Sequence, residues 1–269
     1  MSILLPLYVY PWPGAWDPLH WAAGNNTNLN FNVVLNPCSG PCMGSLPEPA
    51  YIDKIPKLKD YPNIRTLGYV ATNYTDKALD SVLSEIRQWA SWPVLMNDTR
   101  MSVDGVFFDE IPGLYHWEKH DYLKATTDAV QASEHLGEKL IVHNPGTLPD
   151  PVWNYLDLAN TTVIFEDTFA NFIEATKFNA LKNFHTATNL PTSAFSIMLH
   201  SIGSIPDELV TWTVMQMKHM AEWNFVTNVA TAGEYWHSFP AIFELFIKRY
   251  AQLNEVNEDG IEAERNIGK

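Results

Sequence analysis

Eight short β-rich runs punctuate the chain, and their spacing constrains the fold more than any other feature. They are LLPLYVYP (4–11), FNVVLN (31–36), RTLGYVAT (65–72), GVFFDE (105–110), KLIVHN (139–144), TVIFED (162–167), AFSIMLH (194–200) and NFVTNVA (224–230). Several are nearly continuous apolar stretches, the pattern of parallel strands covered on both faces. Helical patterning lies between them. TDKALDSVLSEIRQWASW (75–92) opens on a Thr or Asp cap and repeats apolar residues at Leu79, Val82, Leu83, Ile86, Trp89 and Ala90. EKHDYLKATTDAVQASEHLG (118–137) ends on Gly137, expected at the helix C′ position. PDELVTWTVMQMKHMAEW (206–223) and FPAIFELFIKRYAQL (239–253) open near a proline.

Strands alternating with helices predict a parallel sheet with right-handed crossovers. Eight such units in about 250 residues predict an α/β protein of the (β/α)₈ barrel type, over residues 1–255, followed by a polar tail at 256–269. A doubly wound open sheet is the alternative. It commonly carries a Gly-rich phosphate turn after its first strand, where this chain has YPWPGAW.

The net charge of −14 argues against a nucleic-acid backbone as partner. Ten Trp, eleven Tyr and thirteen Phe suit a large core, and Trp and Tyr also line grooves that bind flat sugar faces. The two cysteines, Cys38 and Cys42, lie within NPCSGPC; a local disulfide fits that spacing, whereas zinc would need further ligands. No run is long enough to span a membrane. The N-terminal run, broken by Pro6, Pro11 and Pro13 and lacking a basic flank, reads as the first strand. Four N-x-[ST] sequons, at Asn25, Asn73, Asn97 and Asn160, point to a secreted or cell-wall-associated protein with its signal removed.

In a (β/α)₈ barrel the site lies at the C-terminal ends of the strands. Those ends carry Tyr8 and Tyr10; Asn36; Tyr69 or Asn73; Asp109 and Glu110; His143 and Asn144; Glu166 and Asp167; His200; then Glu234, Tyr235 and Trp236. Acids and amides ringed by aromatics are suited to a sugar, and glycosidic cleavage needs one protonated and one ionised carboxyl group. Asp109, Glu110 and Glu166 are therefore the candidate catalytic residues. Tyr8, Tyr10, Asn36, Tyr69, His143, Asn144, His200, Tyr235 and Trp236 are candidates for substrate binding. His143 and His200 read equally well as satisfied core groups, and Asp167 reads better as a helix cap. Strand alternation sends Asp109 and Glu110 to opposite faces, so both reach one cleft only if the backbone bends, which Ile111-Pro112-Gly113 would allow after Glu110.

Other motifs carry less. The Asp-Glu strand end resembles a Mg²⁺-binding strand of P-loop ATPases, but no G-x-x-x-x-G-K-[ST] accompanies it. HWEKH (116–120) lacks the H-E-x-x-H order, and Met215, Met217 and Met220 read as helix core. No metal or cofactor is expected.

The segments YVYPWPGAW, VVLNPCSGP, DGVFFDEIP and VIFED resemble spherulation-specific family 4, the spherulin 4-like proteins, in order from residue 4 to about residue 250. The resemblance implies a fungal-type glycoside hydrolase on a (β/α)₈ barrel, with Asp109, Glu110 and Glu166 matching the family's proposed acids. It further implies endo-cleavage of α-1,4-linked N-acetylgalactosamine in galactosaminogalactan, a biofilm polysaccharide. The chain is expected to act as a monomer on its polysaccharide substrate. A non-catalytic carbohydrate-binding or cell-wall barrel, and a hydrolase of deacetylated polygalactosamine, stay as alternatives. The chain departs from the family pattern at Cys38 and Cys42, where Asn and Gly are more usual, so the resemblance does not imply how that loop folds.

Overall fold

The computed structural model describes residues 2–152 and 154–254. The segment 256–269, expected as a polar tail, lies outside the described residues. The eight runs form eight strands: β1 (Ser2–Leu7), β2 (Asn30–Leu35), β3 (Ile64–Ala71), β4 (Gly105–Asp109), β5 (Leu140–Asn144), β6 (Thr161–Thr168), β7 (Phe195–His200) and β8 (Trp223–Val226). Neighbours pair in parallel in sequence order, and β8 returns to β1, closing the barrel. Strand residues are mostly buried because one face packs the barrel interior and the other lies under helices.

The surrounding helices are α1 (Asp17–Asn25), α2 (Pro49–Leu58), α3 (Leu79–Leu95), α4 (Trp117–Ala132), the single turn α5 (Phe169–Phe172), α6 (Ala175–Thr188) and α7 (Asp207–Met220). Residues 243–254 are also helical. Gly137 is not the C′ residue of α4. The helix ends at Ala132 with Ser133 as its cap, which lets Leu136 turn into the core and brings Gly137 against Asp104. In the methionine group, Met217 and Met220 are buried, but Met215 faces solvent.

The fifth crossover departs from a regular (β/α)₈ pattern. Between β5 and β6 the described residues contain only a 3₁₀ turn at Leu156–Leu158. Pro145, Pro149 and Pro151 remove backbone donors and restrict the residues before them, so an α-helix cannot propagate there.

Two β4 pairings set the stage for the site. Phe107 lies opposite Tyr69 and Val142, and Asp109 lies opposite Ala71 and Asn144. The start of the strand is fixed by a close approach: a Cβ on Gly105 would collide with the backbone of Leu140. Gly105→Ala is expected to cost about 3 kcal/mol, since rigid backbone cannot yield to the added methyl. A lowered urea midpoint at unchanged m-value checks this.

Candidate active site

At the C-terminal mouth of the barrel, Asp109 ends β4 and Asn144 ends β5 as register partners. Glu166 extends from β6, past a register shift between Val163 and Phe165. Asn144 joins the two acids. Its Nδ2 donates to Asp109 Oδ1 at 2.8 Å and to Glu166 Oε2 at 2.6 Å. Its own Oδ1 accepts from the Gly146 N–H at 2.9 Å, fixing the amide's orientation.

Each acid has further donors. Asp109 Oδ2 accepts from Tyr69 Oη at 2.7 Å, and Oδ1 accepts from the Glu110 N–H at 2.9 Å. Glu166 Oε1 accepts from Trp236 Nε1 at 3.1 Å. Burial raises the Glu166 carboxyl to about 7, helped by the Asp109 charge, while Asn144 and Trp236 pull the other way. Burial also raises Asp109, opposed by the Tyr69, Glu110 N–H and Asn144 bonds and assisted by the Glu110 charge. Near neutral pH the pair can therefore hold one proton, with Glu166 its natural carrier.

The bend that would admit both adjacent acids occurs at Glu110 itself, not after it. Glu110 has φ of +56°, a left-handed conformation unusual for a residue with a Cβ. Three bonds hold it there. The Glu110 carbonyl accepts from the Tyr74 N–H at 2.7 Å and from Thr72 Oγ1 at 2.8 Å, and the next N–H, of Ile111, donates to the Asn144 carbonyl at 3.1 Å. The turn carries the Glu110 carboxyl to the Asp109 side, where its charge raises both Asp109 and Tyr69. Thr72, fully buried, had no sequence signal beyond ending a strand, yet it anchors this turn.

The aromatic candidates divide. Tyr69 packs edge-on against Tyr8, with ring centroids 5.7 Å apart, and both hydroxyls are held protonated by burial and by the nearby acids. His200 stacks on Tyr235 at 3.8 Å and lies edge-on to Trp236, lining the β7–β8 side of the mouth; burial lowers its pKa. Tyr10 sits farther out, bonding Glu48 at 2.8 Å and packing on Tyr51 and Trp12. Asn36 braces its own loop. Its Oδ1 accepts from the Gly40 N–H at 3.1 Å and shapes the loop closed by the Cys38–Cys42 disulfide.

His143 is a correction. It pairs with Phe108 in register, on the sheet face opposite Asp109 and Asn144, and packs edge-on against that ring. Sealed between sheet and helices, it is held neutral, with burial lowering its pKa to about 3. One step along β5 separates the two faces, and only Asn144 falls on the cleft side. Asp167 is structural: it accepts from Asn171 and the Thr168 N–H and pairs with Lys177 at 2.9 Å, while Thr168 caps α5. Among the described residues no group of three or more His, Cys, Asp or Glu side chains is arranged to hold a metal ion.

Residues 2–250 match the family model described as spherulation-specific family 4. The chain belongs to this family. It is similar to Aspergillus clavatus Sph3, whose crystal structure was solved in complex with GalNAc. The two share 36% identity over 93% of this chain and 97% of that one, with a TM-score of 0.87. A chitinase from Bacteroides thetaiotaomicron shares the barrel fold at 11% identity, covering 93% of this chain and 94% of that one, with a TM-score of 0.56. No curated protein matches the chain. Membership and geometry converge on a glycoside hydrolase-like protein. Among the described residues no helix is long and apolar enough to cross a membrane.

Proposed function

We propose that this spherulation-specific family 4 protein is an endo-acting glycoside hydrolase. Its substrate on this reading is a polymer of α-1,4-linked N-acetylgalactosamine. The observation that carries the reading is the single Asn144 amide held between Asp109 and Glu166. Its two short bonds leave the facing carboxylate oxygens nearer together than the roughly 6.5–9.5 Å that inverting enzymes need for an intervening water. That favours retention at the anomeric carbon. The substrate class is supported by the GalNAc complex of the related Sph3.

Protonated Glu166 gives its proton to the glycosidic oxygen as the C–O bond breaks. Asp109, kept ionised by its three donors, faces the developing positive charge at the anomeric carbon. It serves as the attacking carboxylate, forming a covalent glycosyl-enzyme that a water, deprotonated by Glu166, then hydrolyses; the 2-acetamide of an α-linked sugar is cis to the leaving group and cannot take that part. Glu110, turned to the same side, is available to a substrate hydroxyl or amide. Product analysis by NMR should show the α-anomer first, and an initial β-anomer would overturn the proposal. Mass spectrometry of digests of acetylated and deacetylated polymers should show oligosaccharides from the acetylated one.

The pH dependence follows from the same groups. A carboxyl raised to about 7 is protonated, and competent as an acid, only below that pH. kcat/KM is expected to fall as pH rises through about 7. At the acid end it should fall as Asp109 protonates, above its ordinary range because burial raises that group. A rate still climbing well above pH 8 would remove Glu166 from the acid role. Secretion or cell-wall association belongs to the same reading. It is supported by the exposure of all four sequon asparagines and by the Cys38–Cys42 disulfide, which suits an oxidising compartment.

A further inference from the structure

The disulfide loop after β2 takes no part in the chemistry above, yet it is heavily braced. Ser39 and Cys42 both adopt left-handed backbone, and Asn36 holds the Gly40 N–H. The Gln88 side-chain amide, reaching from α3, lies within hydrogen-bond range of the carbonyls of Pro41, Cys42 and Gly44. The braced loop encloses one side of a cavity of about 760 Å³, bounded by Met43, Leu46, Glu48 and Glu85. That volume falls within the range of small-ligand sites. Met43 and Leu46 on its rim are 99% and 54% exposed.

The cavity lies on the same end of the barrel as the candidate active site. It is built by the β2–α2 connection and the first half of α3, both of which follow strand C-termini. Glu48, in its wall, accepts from Tyr10 Oη, and the Tyr10 ring packs against Trp12 at 4.5 Å. Trp12 is 67% exposed. The β1–α1 connection therefore runs from Tyr8, beside the acids, out to the Tyr10–Trp12 pair, which Tyr10 ties to the cavity wall at Glu48. A flat indole face and an apolar rim match a hexose chain, whose axial C–H faces stack on such surfaces.

We infer that the Trp12 platform and the cavity behind the Cys38–Cys42 loop form a distal subsite that holds a flanking stretch of the same amino-sugar chain. The inference rests on the sugar-polymer reading of the acid site. The test uses Glu166→Gln protein, so that binding is read without cleavage. Calorimetric titration with N-acetylgalactosamine oligomers of increasing length, and with their deacetylated counterparts, gives affinity against length. Affinity should rise as oligomers grow. Trp12→Ala should weaken the long oligomers of at least one series about tenfold, and Trp12→Phe by less. Leu46→Ser on the cavity rim should act in the same direction. Length dependence that is identical with and without Trp12, or no oligomer binding at all, would overturn the subsite. Cleavage by the unmutated chain is read separately. Polymer cut with no dependence on Trp12 removes the subsite but keeps the hydrolase, and Trp12-dependent binding without any cleavage does the reverse.

Discussion

Glu166→Gln is expected to lower kcat on the natural polymer about a thousandfold, within the span that general acid catalysis contributes. The amide has the shape of the acid but no proton to give, so the leaving oxygen must depart as a poor anion. The loss should shrink sharply on a synthetic glycoside with an activated leaving group, because such a group needs no protonation. Asp109→Asn should be slow on both substrates, since the positive charge at the anomeric carbon then meets no carboxylate. Initial rates of the two variants on the two substrates separate the roles, with retained polymer binding as the check on folding. Near wild-type polymer hydrolysis by Glu166→Gln would sink the assignment, and equal losses on both substrates would exchange the roles of the two acids.

The second large effect is expected at Asn144, which acts through the acids rather than on the bond. Removing its amide in Asn144→Ala leaves Glu166 Oε2 without its 2.6 Å donor and takes one of three donors from Asp109. Leaving a buried carboxylate oxygen unpaired costs about 1–3 kcal/mol, which corresponds to roughly a ten- to hundredfold slower reaction if it falls on the transition state. The pH profile distinguishes this from simple loosening. Because Asn144 stabilises the charged form of Glu166, its loss should move the alkaline limb upward from about 7. A slower enzyme with an unmoved alkaline limb would mean that Asn144 merely packs.

Much of this arrangement was legible in the sequence. Parallel strands buried on both faces must be apolar along their length, so all eight announced themselves as runs. Closure of an eight-stranded sheet then made every strand end a candidate, which is how Asp109, Glu110 and Glu166 emerged together. The helices were harder. α6 carries weak periodicity and α1 is only nine residues long, while α2, though amphipathic, contains Pro56. The helix-free β5–β6 crossover was written in its prolines but overshadowed by the regular alternation elsewhere.

Side-chain direction was the part that strand position alone could not supply. His143 and Asn144 are chain neighbours at one strand end, yet pleating sends one beneath the helices and the other between the acids. Asp109 and Glu110 are neighbours too, and alternation would have parted them. Whether they share a face depended on one backbone torsion at Glu110, stabilised by Thr72 and Tyr74 from a neighbouring strand end. Continuous apolar runs alternating with helical segments determined the barrel, and the strand ends determined the list of acids. The left-handed turn, the shared amide and the Trp236 bond to Glu166 arise from contacts between residues 22 to 70 positions apart, and the raised Glu166 carboxyl from burial beside Asp109; only the closed tertiary structure brings these together.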